Sequence, residues 1–377
     1  MIDPSPNTGG VHVLLAFQPE VGGVPRYVAN LADGLAARGW QLTIAAPTRT
    51  PVRSQLEAVS HGFVPIDVGS SPTPADMPLA VRLARLCRRE RIDLIHAHSS
   101  KAGALAVAAG TFTATPSIYS PHAWSFQREL SPRAEQAYVR LERTLMRRHR
   151  HAIAVAEVER TEAIHRDVVA PERIELIETG LPDAASVDAA TARERLGLDP
   201  SRFTLGWVGR DGSQKRSEDL LGLVDRMGTA IQLVVLGNGM AESVNGRALR
   251  ERGAVVLSTG RAADVYGASD VLVLTSRWEA SPVVVVEAMR AGLPVVAYDV
   301  GGVSAQVRDG ETGFLVPSGD VAALSTRVER LVNDRMLRRS MGRDARTRYE
   351  QVYGFDRMMD RICTRYTAVL EHHGAQL

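Results

Sequence analysis

The sequence predicts an α/β protein of two domains, each built on a parallel sheet covered by helices. Length sets the count: 377 residues exceed one ordinary domain, and about 150 residues per domain gives two to three. Pattern sets the class, because short continuous apolar runs alternate with helical stretches from Val11 onward and again from Phe203. Strands that are apolar without alternation belong to a sheet buried on both faces. Around Leu181-Pro-Asp the pattern pauses, which divides residues 1–183 from a second domain over 190–354.

The first domain opens with an apolar run, Val11 to Phe17, a loop from Gln18 to Gly23, and a segment in which Val24, Tyr27, Val28, Leu31 and Leu35 fall at helical spacing. Pro25 suits the first helical turn and Gly39 a C-terminal stop, so the order is strand, loop, helix. Further strands are expected at Gln41–Pro47, Ile92–His98, Ser117–Pro121, Ala152–Ala156 and Ile174–Ile177, with helices at Pro78–Arg91 and Pro132–Arg150. The second domain starts with the strand Phe203-Thr-Leu-Gly-Trp-Val and continues with strands at Ile231–Leu236, Ala254–Leu257, Val271–Thr275 and Pro294–Tyr298. From about Phe355 the tail reads as a helix whose Met358, Ile362, Tyr366 and Val369 need an apolar surface to pack on.

Composition excludes several function classes. Lys and Arg number 45 against 43 Asp and Glu, a formal charge of +2, and the isoelectric point near 8.6 falls short of a dedicated nucleic-acid binder. Hydrophobic residues at 45% and charged residues at 23% describe a folded globule. Cys87 and Cys363 lack the CxxC spacing of a zinc site or redox pair, so the chain reads as cytosolic and free of disulfides. The N-terminus MIDPSPNTGG has no apolar signal region, and no run approaches the roughly 18 apolar residues of a spanning helix. Of the 45 basic residues, 43 are Arg and only Lys101 and Lys215 are Lys. GC-rich codon usage accounts for the missing lysines but not for the two that remain, where a compact ammonium does what a planar guanidinium cannot.

Three segments carry chemistry. Gly22-Gly23 sits where the first strand hands over to the first helix, the place at which a doubly wound sheet opens its ligand crevice; an ordinary turn is the plainer alternative. In the second domain Arg210 follows the strand and Lys215 lies five residues on in a polar loop, so the two cations can converge on one diphosphate, or belong to a solvated loop. The third is Val271 to Ala297, in which Glu279 stands in the loop and Glu287 follows eight residues later in a Val-rich helix. Ser281, Pro282, Val283 and Val284 begin that helix, where free amides favour an anion, and the two carboxylates make sense as acceptors for sugar and ribose hydroxyls. His96 and His98 alternate along one strand, but two His without a third ligand read as packed residues, and no metal is assigned.

These residues resemble a known family. Glu279 and Glu287 have the E-x(7)-E spacing of retaining glycosyltransferases with the GT-B architecture, glycosyltransferase family 4. The likeness extends through Gly22-Gly23, His96-Ala-His-Ser-Ser-Lys-Ala-Gly, Ser120-Pro-His122-Ala-Trp, Val208-Gly-Arg210 through Lys215, and Gly301-Gly302 through Gly313-Phe-Leu-Val-Pro. It implies two Rossmann-like domains with parallel sheets facing an interdomain cleft, the C-terminal helix of about 355–377 returning to the acceptor-binding first domain, and the second domain binding a nucleotide-sugar. In that family the residues matching Arg210 and Lys215 bind the donor diphosphate, the one matching Glu287 the ribose, and the one matching Glu279 the transferred sugar. His122 would lie near the sugar and the acceptor. Ala280, Arg216 and Thr179 depart from the family's usual Gly, Gly and Asn.

The resemblance further implies transfer of a hexose from a UDP- or GDP-linked donor with retention, the leaving diphosphate taking the acceptor proton. No Asp-x-Asp occurs, and Arg210, Lys215 and the helix terminus can replace a metal, so no cofactor is expected. A sugar-nucleotide epimerase and a non-catalytic sugar-nucleotide sensor are the rival readings. Lys101, singled out by composition and placed after a strand end, is expected on the acceptor side with His122; a structural lysine bridging to an acidic neighbour is the alternative. Between Pro78 and His151, 13 basic residues face five acids. Solvated helix faces explain that excess, and peripheral contact with an anionic membrane at its inner face, or a phosphate-bearing acceptor, is the other reading.

Overall fold

The computed structural model describes residues 10–67, 69, 73, 76–127 and 130–374. Arg128 and Glu129 of the basic run, and all but the last residue of the segment MIDPSPNTGG, lie outside them. The chain forms two compact units, one of residues up to Gly180 together with those from Phe355 onward, the other Leu181–Gly354.

In the first unit seven strands, β1 (His12–Phe17), β2 (Gln41–Ala46), β3 (Gly62–Pro65), β4 (Leu94–His98), β5 (Ser117–Ser120), β6 (His151–Ala154) and β7 (Ile174–Leu176), form one sheet in the order β3-β2-β1-β4-β5-β6-β7. Every pairing is parallel, with Phe17 opposite His98 and Val13 opposite Leu94. The second unit repeats the scheme with β8 (Thr204–Val208), β9 (Gln232–Leu236), β10 (Val255–Leu257), β11 (Val271–Leu274), β12 (Val295–Tyr298) and β13 (Gly313–Val316), ordered β10-β9-β8-β11-β12-β13 and again all parallel. In each sheet the strand order reverses beside the unit's first strand, at β1/β4 and at β8/β11. Such reversal points are where open α/β sheets place ligands.

The continuous apolar runs have the cause the sequence suggested. Leu14 and Ala16 of β1 enter one core, while Val13, Leu15 and Phe17 enter another on the opposite face, because side chains alternate along a strand and both faces are covered. Strand ends differ from expectation by one or two residues. Strands β3 and β13, four residues each at a sheet edge, add to those expected; β3 is Gly62-Phe-Val-Pro65 and only one of its residues is buried, so it presents no continuous apolar run. The helix expected over Pro132–Arg150 ends at Met146, since Arg150 must already donate its amide to Ser117 as β6 begins. Ser131 caps that helix through its hydroxyl, and Pro132 fills the first turn.

The last helix, Phe355–Gly374, buries Met358, Met359, Ile362, Tyr366 and Val369 against the core formed by β1, β2 and the helix Gly23–Ala36. Arg361 and Arg365 on it donate to Glu175 and Glu178. Its apolar face is thus a wall of the first unit, and removing Ile362, which is fully buried, leaves a cavity. Ile362→Ala is expected to lower the unfolding free energy by about 2–5 kcal/mol, read as a shifted urea midpoint with an unchanged slope.

Candidate functional site

The second unit gathers the expected donor residues at its β8/β11 reversal. The loop after β8 carries Arg210 and Lys215, and the loop after β11 carries Glu279. Backbone and side-chain bonds lace the two loops together. Thr275 donates to the carbonyl of Lys215 at 2.8 Å, the Arg277 amide donates to the Gln214 carbonyl at 2.8 Å, and the Gln214 amide group donates to the Trp278 carbonyl at 3.1 Å. Beneath them the buried Trp207 indole donates to the Thr275 hydroxyl. Held this way, the Lys215 ammonium meets a carboxylate oxygen of Glu279 at 2.5 Å, with side chains 16% and 8% exposed. Arg210 is exposed and has no side-chain bond or ion pair among the described residues.

Gly302 closes the floor of this loop. Its amide donates to the Glu279 carbonyl at 2.9 Å, and a Cβ there would stand 1.7 Å from the Ala280 carbonyl oxygen, so any side chain would push the Glu279 loop away. Arg216, which stands where the family usually has Gly, takes φ 49°, a left-handed conformation that costs a non-glycine residue roughly 1–2 kcal/mol. Its guanidinium comes within 3.0 Å of Asp219 and lies 5.8 Å from the centroid of the Tyr298 ring.

Glu287 is the fifth residue of the helix Val283–Arg290, little more than one turn in. Its carboxylate accepts from the Tyr266 hydroxyl at 2.7 Å, which orients it. The anion-favouring helix start is narrower than the sequence suggested: Pro282 has no N–H, and the Val285 amide is taken by the Pro282 carbonyl, leaving Val283 and Val284. Ser281 accepts from the Gln306 side chain at 3.0 Å.

In the first unit, Gly22 has φ 110°, open to glycine alone at no steric cost, and heads the helix Gly23–Ala36. A Cβ at Gly22 or Gly23 would meet nothing within 4 Å, so the backbone is open to a close neighbour. After β5, His122 and Ala123 take φ 51° and 86°. The buried carboxylate of Glu159 anchors this turn, accepting from the amides of Ala123 at 2.6 Å and Val155 at 3.0 Å; burial pushes its pKa up to about 7. His122 Nε2 lies 3.0 Å from Nδ1 of His98, with the Tyr27 ring edge-on at 4.7 Å between centroids. Burial pushes the His122 imidazole down to about 4 and holds His96 and His98 well below the ordinary value, so at neutral pH all three rings are uncharged. His96 is consumed by packing, bonded to the Tyr366 hydroxyl and to Ser120. Among the described residues no three His, Cys, Asp or Glu side chains gather as a metal site.

Lys101 lies in the first turn of the helix Ser100–Thr113, its side chain is 3% exposed, and its ammonium is bonded to Asp76. That is the geometry of the structural bridge to an acidic neighbour. The sequence assigns no site role to several residues that shape the site: Tyr27, His98 and Glu159 around His122, Tyr266 at Glu287, and the lacing residues Gln214, Thr275 and Arg277. For Glu159 and Thr275 the available signal was position, just past the carboxyl end of a strand; Tyr266 offered none. Lys101→Ala strands a carboxylate and is expected to lower stability by about 2 kcal/mol or more, read by thermal unfolding, while nucleotide affinity in calorimetry stays unchanged.

Comparison with known proteins agrees with this geometry. Two family models match in tandem, Glycosyltransferase Family 4 over residues 21–184 and Glycosyl transferases group 1 over residues 188–348. The phosphatidyl-myo-inositol mannosyltransferase of Mycobacterium leprae (strain TN) is 29% identical over 356 residues, covering 87% of this chain and 89% of that protein. The D-inositol 3-phosphate glycosyltransferase of Rhodococcus jostii (strain RHA1) is 27% identical over 366 residues, covering 86% and 80%. Among solved structures, Anabaena Alr3699/HepE in complex with UDP superposes with a TM-score of 0.82 at 21% identity, covering 95% of this chain and all of that one. With the strand order of both sheets and the E-x(7)-E loop at the second reversal point, these matches place the chain in glycosyltransferase family 4, as a glycosyltransferase of the GT-B fold.

Proposed function

We propose that the chain transfers a hexose from a UDP- or GDP-linked donor to a small-molecule, lipid-linked or natural-product acceptor, with retention of anomeric configuration and without a metal. The observation that carries this is the Lys215–Glu279 pair. A cation and a carboxylate that neutralise each other at a sheet reversal point can both be redirected by one ligand bearing negative charge at one end and hydroxyls at the other, which is the chemistry of a nucleotide-diphosphate sugar. Arrival of the diphosphate draws Lys215 away, with Arg210 as its second cation, and frees Glu279 to accept hydroxyls of the sugar. Glu287, oriented by Tyr266, accepts from the ribose, and the amides of Val283 and Val284 face the diphosphate.

In the reaction the bond from the anomeric carbon to the diphosphate oxygen breaks, and a bond from the same face to the acceptor oxygen forms. The acceptor's proton leaves with the diphosphate, so no protein base is consumed. Positioning and charge stabilisation are what the protein supplies. His122 is a neutral ring at the carboxyl edge of the first unit's sheet, suited to hydrogen-bond sugar or acceptor hydroxyls. The relatives named for inositol 3-phosphate and phosphatidyl-myo-inositol make these the first acceptors to try.

The test incubates UDP- and GDP-sugars in EDTA, first alone and then with acceptors, and reads the anomeric proton by NMR. Transfer with the donor's configuration supports the reading. Inversion, consumption of donor without acceptor, or activity that returns only with Mg²⁺ or Mn²⁺ each contradicts a named part of it. Glu287→Gln is expected to weaken binding of the bare nucleotide diphosphate about tenfold, or 1.4 kcal/mol. Glu279→Gln should leave that affinity intact or tighten it, since Lys215 loses its rival partner, while turnover falls about tenfold or more. Calorimetry and kinetics on the same proteins check this, and equal losses of nucleotide affinity in both variants would remove the separate roles.

A further inference from the structure

At the amino ends of β5 and β6, the edge of the sheet opposite to His98 and His122, the first unit contains a cavity of about 920 Å³. It is bounded by the connector into β5, the connector Arg147–Arg150 into β6, and the last turns of the C-terminal helix. Arg147, Arg148, Arg150, Arg173 and Arg365 line it together with four histidines, and no carboxylate does. Three of the arginines are engaged: Arg173 donates to the carbonyls of Met146 and His149, Arg365 to Glu175, and Arg150 to Nδ1 of His373. Arg147 and Arg148 are exposed and form no ion pair among the described residues. Deeper, the His151 ring is 5% exposed, and its Nε2 is buried with no hydrogen-bond partner. Burial, then Arg365, pushes His151 down to about 4, with Glu175 opposing, so the ring is neutral and the positive charge of the cavity comes from guanidiniums.

Five guanidiniums crowded around a common space repel one another, and an unpaired buried imidazole nitrogen is costly; one polyanionic ligand would relieve both. Guanidinium forks match the tetrahedral oxygens of phosphoryl groups in bidentate fashion. The cavity is far larger than a single phosphate, whose volume is comparable to the roughly 30 Å³ share of one water or a few. We propose that this cavity binds a ligand presenting at least two phosphoryl groups, with Arg147, Arg148 and Arg150 on the phosphoryl oxygens and His151 Nε2 as the deep contact. The site lies at the edge of the first unit's sheet opposite to His98 and His122 and does not depend on the reading of their function. Two sources offer this chemistry, a free diphosphate-bearing metabolite and the phosphate headgroups of an anionic bilayer.

The test is calorimetry with inorganic pyrophosphate and no nucleotide, every protein carrying Arg210→Ala/Lys215→Ala so that the proposed diphosphate site of the second unit does not compete. This background protein is expected to bind, Arg147→Glu/Arg148→Glu to lose at least tenfold in affinity, and His151→Phe to weaken it where that variant folds. The exposed pair Arg226→Glu/Arg330→Glu, an equal change of charge in the second unit, should leave pyrophosphate binding unchanged. Absence of binding, binding unaltered in Arg147→Glu/Arg148→Glu, or equal weakening in the Arg226/Arg330 control overturns the proposal. A sedimentation arm with phosphatidylglycerol and phosphatidylcholine vesicles separates the sources. Pelleting with the anionic vesicles that Arg147→Glu/Arg148→Glu abolishes assigns the phosphates to lipid, and pyrophosphate binding without pelleting assigns them to a soluble ligand.

Discussion

All strands of both sheets run parallel, and that constraint decides where everything else can be. Parallel pairing sends every strand's carboxyl end to one edge of its sheet, and each crossover helix begins at that same edge. Loops there are flanked by helix amino termini with unsatisfied amides, and the strand order leaves a gap only where it reverses. Gly22-Gly23 and the His122 turn lie at that edge in the first unit, and Arg210, Lys215 and Glu279 at that edge in the second. The opposite edges receive helix carboxyl termini and the connectors into the strands, which in the first unit are rich in arginine.

Within the second unit, the charge pairing of Lys215 with Glu279 gives the loops a stable arrangement without any ligand. Two ionised groups less than one-fifth exposed would be costly if each were left alone. Pairing them lets each satisfy the other where neither faces water freely. The lacing of Gln214, Thr275 and Arg277 keeps the two loops in register, and Gly302 permits the close backbone approach beneath them. Side chains without an evident chemical role therefore determine whether the charged ones meet at all.

The first unit solves a different problem, that of holding a histidine in a left-handed turn. Glu159 is a fully buried carboxylate whose two oxygens receive backbone amides, and it fixes the turn through the chain rather than through the ring. His98 and Tyr27 then bracket the imidazole. The C-terminal helix contributes Tyr366 to His96, directly beside His98, so the last element in sequence supports the carboxyl end of the sheet's central strand β4. A histidine ladder of this kind is structural in its interior and chemically available only at its end.

Sequence by itself determined the class of the fold, its division in two, the run of strands and helices, and the identity of the second unit's charged residues. Those follow from local physics: unalternated apolar strands need two covers, glycine and proline mark turns, and the E-x(7)-E spacing carries a loop and a helix in one short segment. The edge strand β3, Gly62-Phe-Val-Pro65, was illegible because only two apolar residues stand between its Gly and Pro and one face of it is left half-buried. Tertiary structure alone decided which charges pair. Lys215 and Glu279 are 64 residues apart and Lys101 and Asp76 are 25 apart, yet the first pair sits at a reversal point between two strands and the second inside a helix interface. The same residue type therefore stands in a loop at a sheet's reversal point in one place and inside a helix interface in the other. Composition singled out both lysines equally; only the packing of the elements around them, which fixes burial and the nearest carboxylate, separates the two.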